Sequence, residues 1–129
     1  ERRPHETRVA ATPETVKKLR ALGAEVTIEA GAGTAASYTD QAYSDAGATI
    51  APDASSAFAA GEIVFKIQRP MSAAEGNDEL ALLRSGQTLM SPLGALTNKE
   101  LVQALASKGV TSFALELIPR ITRAQSMDI

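Results

Sequence analysis

Four helix-like segments in this chain each stop at a glycine, and a short β-prone run follows each one. Glycine closes a helix because it accepts the left-handed backbone that ends the last turn. Thr12, Pro13 and Glu14 give the first segment an N-cap, a proline at its first position and an acid in its first turn. Val16, Leu19 and Leu22 form its inner stripe, and Gly23 ends it. Thr39 and Asp40 open the second, which Gly47 stops. Asp53 caps the third, which runs to Ala60 and stops at Gly61. Thr97 caps the fourth, with Glu100 placed for a capping box, Leu101, Val102 and Leu105 inward, and Gly109 at its end. The runs at 25–29, 48–51, 63–67 and 112–117 follow these stops, and 88–91 follows a short helical segment at 79–84. Strands that alternate with helices over short connections imply an α/β fold with a mainly parallel, doubly wound sheet of flavodoxin or Rossmann-like type. Residues 63–67 are the most β-prone and read as a buried parallel strand.

The first element is a helix preceded by a charged loop, where the alternation calls for a strand. In doubly wound sheets the first strand is commonly central. A strand is therefore expected upstream of Glu1, and further sequence beyond Ile129. Residues 1–129 read as one domain, an N-terminal subdomain truncated at both ends.

Composition narrows the function classes. The net charge of −2 lacks the basic stripe that nucleic-acid binding requires. There is no cysteine, hence no disulfide framework and no thiolate metal site, and the one histidine, His5, cannot build a histidine metal site. No apolar run approaches the roughly 18 residues of a membrane span. Any link to a membrane is expected through a partner, without direct insertion.

Several residues could carry chemistry. Gly31, Gly33 and Ala36 match a Gly-x-Gly-x-x-Ala pattern after a strand, with Asp53 further on. A dinucleotide fingerprint needs these glycines to run directly into a helix that takes the pyrophosphate. Here Ser37 and Tyr38 intervene and Asp53 suits an N-cap, so a glycine-rich turn is the better reading. Lys66 interrupts the most apolar strand: it either snorkels from a strand end or points over the sheet edge at an anionic or carbonyl ligand. Arg8 lies in the first loop, as a solvated arginine or a carboxylate binder. His5 reads as a surface loop residue. Residues 116–129 hold the densest polar cluster. The strand ends at Pro119, Thr122 can cap a helix with Gln125 at its capping-box position, and Gln125 and Asp128 then share a face, with Arg120 just before. The bland reading is a solvated, charged helix start.

The residues Glu1-Arg2-Arg3-Pro4, Arg8-Val9-Ala10 and Thr12-Pro13-Glu14-Thr15-Val16 resemble the N-terminus of the alanine dehydrogenase/transhydrogenase family. The runs Lys66-Ile67-Gln68-Arg69-Pro70, Leu93-Gly94-Ala95-Leu96-Thr97-Asn98 and residues 116–128 look like the NAD(H)-binding component of proton-translocating nicotinamide nucleotide transhydrogenases. That resemblance implies the N-terminal subdomain of a two-subdomain component. Its Rossmann subdomain, with the true NAD fingerprint, lies further along the chain. It also implies hydride transfer between NAD(H) here and NADP(H) on a separate component, coupled to proton movement by a membrane component. A homodimer is implied, at the cytoplasmic face of a bacterial inner membrane or in the cytoplasm. Carried over by position, Arg120 and Asp128 would bind the nicotinamide carboxamide and its surroundings. Gln125, the residue nearest the chemistry, would help align the two nicotinamides, and no metal is implied. The alternative within the family is an alanine dehydrogenase-like enzyme, in which Arg8 and Lys66 match the residues that hold pyruvate. The catalytic histidine of those enzymes falls at Pro92, and hydride exchange between two nicotinamides needs no such acid/base group.

Overall fold

The structure is a computed structural model and describes residues 1–128. Its contacts divide the chain into two compact units, residues 1–61 and residues 62 onward.

The first unit contains α1 (Pro13–Ala21), β1 (Thr27–Glu29), a 3-10 turn (Thr34–Ala36), α2 (Asp40–Asp45), β2 (Thr49–Ala51) and α3 (Ala54–Ala60). β1 and β2 pair in parallel, Ile28 opposite Ile50, with α2 as their crossover. The helix starts follow the expected chemistry. Thr12, Thr39 and Asp53 each accept a hydrogen bond from the backbone amide three residues on. Each such cap satisfies an otherwise orphaned donor. The core joins Ala11, Val16, Ile28, Tyr43 and Ala46, with Val26, Tyr38 and Ile50 packed against them. Burial of a side chain such as Val16 contributes roughly 1.5–3 kcal/mol. Tyr43 is fully buried, and its hydroxyl donates to the Ala11 carbonyl at 2.7 Å. Burial pushes its phenol pKa up.

This packing accounts for the glycine pattern. A Cβ on Gly33 would lie 2.5 Å from Cε2 of Tyr43, so only glycine fits under the ring. Gly31 has φ +78° and donates its amide to Asp40 Oδ1 at 2.9 Å. The glycines make a turn against Tyr43, and the helix that follows opens at Thr39, in agreement with the spacing argument.

The second unit contains β3 (Ile63–Phe65), 3-10 turns at Ala73–Glu75 and Leu80–Leu82, β4 (Thr88–Ser91), α4 (Lys99–Ser107), β5 (Thr111–Ala114) and 3-10 turns at Leu115–Leu117 and Thr122–Met127. Its sheet is parallel in the order β3-β4-β5, with Phe65, Met90 and Phe113 in one row. Leu89, Leu101 and Leu105 are buried, and α4 packs against β5.

The expected α/β fold with parallel strands is borne out, the strands forming a pair and a triplet, one in each unit. Several local expectations are corrected. The expected strand over 63–67 stops at Phe65, though the Lys66 amide still donates to the Met90 carbonyl. Nor is that strand buried: Ile63 and Phe65 are 53% and 43% exposed. The expected helix over 79–84 is only a 3-10 turn. Asn98, not Thr97, caps α4: Asn98 Oδ1 accepts the Leu101 amide, while the Thr97 hydroxyl donates to the Gly94 carbonyl. The expected strand to Leu117 ends at Ala114. The terminal segment is a 3-10 turn with no side-chain cap from Thr122, so the anticipated capping box does not form. Among the described residues no helix is long and apolar enough to cross a membrane.

Candidate functional site

In the second unit the loops that follow β3 and β4 frame a concavity of about 270 Å³. Gln68 and Arg69 line it from one loop, and Pro92, Gly94, Thr97 and Asn98 from the other. Both loops leave carboxyl ends of parallel strands, the edge at which open α/β sheets bind ligands. Ser91, fully buried at the end of β4, ties the loops together by donating to the Gln68 carbonyl at 3.0 Å.

Lys66 does not snorkel to solvent from its strand end. It is buried, and its Nζ lies 2.8 Å from Oε2 of Glu79, itself 1% exposed. The other oxygen, Oε1, accepts the Met71 amide at 3.0 Å, while the Glu79 amide donates to the Met71 carbonyl. A buried cation needs such a partner and further hydrogen bonds around it. The pair thus anchors the loop between them. Sequence reading missed Glu79 because nothing local links it to a lysine thirteen residues earlier. The signal was there in principle: a lysine inside an apolar strand demands an acid somewhere.

The other cations near this edge are also partnered. Arg69 makes a two-pronged contact to Glu75 at 2.8 and 2.9 Å, and Glu75 also closes a capping box with Ser72. In the first unit, Arg8 grips Glu6 in the same way, at 2.9 and 2.8 Å, which raises its pKa. His5 is exposed in its loop.

The terminal cluster is exposed. Arg120 Nε and Asp128 Oδ1 stand 4.0 Å apart, with side chains 84% and 54% exposed. Gln125 lies between them on the 3-10 turn, its carbonyl accepting the Asp128 amide, while Ala124 is the one buried residue of that turn. Ile129, the last residue of the motif, lies outside the described residues.

Glu116 stands out only in the structure, since pattern alone makes it one more residue of a strand. Its Oε2 accepts the Leu93 amide at 3.0 Å and its Oε1 the Ala95 amide at 2.9 Å. Burial alone would push its carboxyl up, but hydrogen bonds from the backbone amides of Ala95, Leu93, Glu116 and Gly94 together hold it below the usual range.

The profile of the family described as "Alanine dehydrogenase/PNT, N-terminal domain" matches residues 1–129. The chain belongs to this family. It is 57% identical over its whole length to an NAD(P) transhydrogenase subunit alpha chain of Rhodospirillum rubrum, covering 34% of that protein. It is 37% identical over 114 residues to alanine dehydrogenase of Bacillus subtilis, covering 88% of this chain and 29% of that one. Among solved structures, a transhydrogenase from Sinorhizobium meliloti superposes with a TM-score of 0.88 at 44% identity, over 99% of this chain and 36% of that one. The chain therefore spans about a third of the length of the relatives it matches. The likeness is stronger on the transhydrogenase side of the family, as the residues quoted from the sequence implied. No group of three or more His, Cys, Asp or Glu poised for a metal occurs among the described residues.

Proposed function

We propose that this chain is the N-terminal part of the NAD(H)-binding component of a proton-translocating transhydrogenase, and that Arg120, Gln125 and Asp128 wall the nicotinamide end of its cofactor site. The carrying observation is the exposed Arg120–Asp128 pair, with Gln125 beside it, on a turn that follows a parallel strand. A nicotinamide carboxamide offers one carbonyl acceptor and one NH2 donor. Arg120 supplies donors and Asp128 acceptors a few ångströms apart, which is the complementary set. Gln125, neutral and bearing both functions, suits alignment rather than charge stabilisation.

Bound NADH supplies a hydride, and NADP+ on a partner component accepts it: one C–H bond breaks, another forms, and no proton passes through this chain. The residues act by binding, orienting and excluding water. Holding two reactants in a near-attack geometry can supply roughly 7–11 kcal/mol. The membrane component of the complex would couple the transfer to proton movement, placing this chain at the cytoplasmic face of the membrane as part of a dimeric component. Alone, the 129-residue chain is expected neither to turn over nor to bind NADH at submicromolar concentration.

The alanine dehydrogenase reading is disfavoured by Lys66, which Glu79 holds inside the unit. It is disfavoured also by Pro92, which lines the concavity and offers no acid or base where the resemblance puts the catalytic histidine of those enzymes. The discriminating assay uses the full-length protein with its partners in membrane vesicles. Hydride transfer from NADH to NADP+ is expected. Oxidation of NADH by pyruvate and ammonia, without transfer to NADP+, would replace this reading.

A further inference from the structure

Three observations converge on Glu116. Both oxygens of its carboxylate are engaged by backbone amides of one loop, Leu93 at 3.0 Å and Ala95 at 2.9 Å. Between them stands Gly94, with φ +63°, so the chain bends to present nearby amides to one anion. Such concave runs of N–H groups are anion nests, and here the anion comes from the chain itself. The same loop contributes Pro92, Gly94, Thr97 and Asn98 to the concavity.

The loop is tied at other points as well, one of them to the loop after β3. Ser91 fixes its start, and Asn98 fixes its end by capping α4. The Gly94 carbonyl accepts from the amides of Thr97 and Asn98, which folds the loop on itself. Glu116 ties the middle of the loop to a different element, reaching across from the turn after β5. That turn is also the root of the terminal segment: Ile118 donates to Leu115 at 3.2 Å, Pro119 follows, and Arg120 is next.

We propose that Glu116 is a positioning residue, which fixes the loop after β4 relative to the root of the Arg120–Asp128 turn and so sets the geometry for hydride transfer. This rests on the transhydrogenase reading above. The logic is mechanical. Charge-assisted bonds are short and directional, and a displacement of about 1 Å in a reacting pair can cost on the order of 100-fold in rate. An exposed carboxylate that merely decorated the surface would not spend both oxygens on one loop.

The test uses Glu116→Gln and Glu116→Ala in the full-length protein with its partners. Glutamine keeps the shape and one acceptor but turns its NH2 toward the second amide, so it fits without serving both bonds. We expect the hydride-transfer rate to fall at least about 10-fold in Glu116→Ala and by less in Glu116→Gln, while the Kd for NADH changes less than about 3-fold. Amide hydrogen exchange at Leu93 and Ala95 should accelerate in both variants. Should Glu116→Ala not fold, the glutamine variant alone decides. Wild-type rate in Glu116→Gln, or a rate loss matched by an equal loss of NADH affinity, overturns the proposal. A wild-type protein with no transfer to NADP+ overturns the functional reading instead, and exchange at the two amides still reports whether Glu116 holds the loop.

Discussion

Two ion pairs in the second unit use the same chemistry to opposite ends. Lys66 and Glu79 lie 2.8 Å apart with side chains 6% and 1% exposed, and Arg120 and Asp128 lie 4.0 Å apart with 84% and 54% exposed. The first pair is closed: Glu79 also takes an amide, and among the described residues every buried side-chain N and O atom has a hydrogen-bond partner. The second is exposed and at the outer limit of contact, so its own attraction is weak and screened by solvent. Lys66, weighed evenly in the sequence between a solvated strand end and a ligand contact, is enclosed with Glu79, whereas Arg120 and Asp128, the densest polar cluster in the sequence, stand exposed.

The sharpest way to break this comparison is Glu79→Gln. It removes the carboxylate charge that lies 2.8 Å from the buried Lys66 ammonium, and breaking a buried pair typically costs about 3–5 kcal/mol. Urea or thermal unfolding should show that loss. Replacing both partners at once, as Lys66→Met with Glu79→Gln, should recover most of it, because no buried charge then lacks its counter-charge and the glutamine oxygen can still accept the Met71 amide. A loss below about 1 kcal/mol in the single variant would mean that Lys66 finds solvent, and that the pair does not close the unit.

Arg69 and Glu75 sit between the extremes, with side chains 36% and 28% exposed. The contact is two-pronged, and Glu75 also accepts the Ser72 amide at 2.9 Å. Glu75→Gln should therefore cost about 1 kcal/mol, part cap and part ion pair. High salt should remove part of that contribution and leave the Glu79 effect largely intact, because exposed pairs are screened and buried ones much less. Equal salt sensitivity in the two variants would erase the distinction.

How much of this was legible depended on how local the cause was. Thr12, Thr39 and Asp53 cap helices as their sequence context suggests, since a cap bonds to an amide only three residues away. The glycine-rich turn was also legible, because its spacing to Thr39 excluded a nucleotide helix. Thr97 and Asn98 were harder: both can cap, and here Asn98 does while the Thr97 hydroxyl donates to the Gly94 carbonyl. What failed was non-local. The strand at 112–117 was shortened by Glu116 bonding to Leu93 and Ala95, more than twenty residues away. The helix expected from Thr122 gave way to 3-10 geometry, as its N-terminal amides found no side-chain cap. The inward turn of Lys66 depended on Glu79, across a loop with no periodicity to read. Pattern reports faces and caps, whereas partners brought together by topology leave only an unpaired charge as their trace.

Asp128→Asn gives the smallest stability change and the most pointed contrast. The pair is exposed and at the outer limit of contact, so its loss should shift unfolding free energy by no more than about 0.5 kcal/mol, within the range of surface pairs. If the exposed pair is kept for a ligand, its effect belongs elsewhere. In the full-length protein the same substitution should weaken NADH binding several-fold, because an amide in place of the carboxylate turns a charge-assisted acceptor into a weaker one. Arg120→Lys should do likewise, since lysine cannot reproduce the planar guanidinium fork. A destabilised Asp128→Asn with unchanged NADH affinity would invert the comparison: the outer pair would be the structural one, and the nicotinamide wall would have to be sought among other residues.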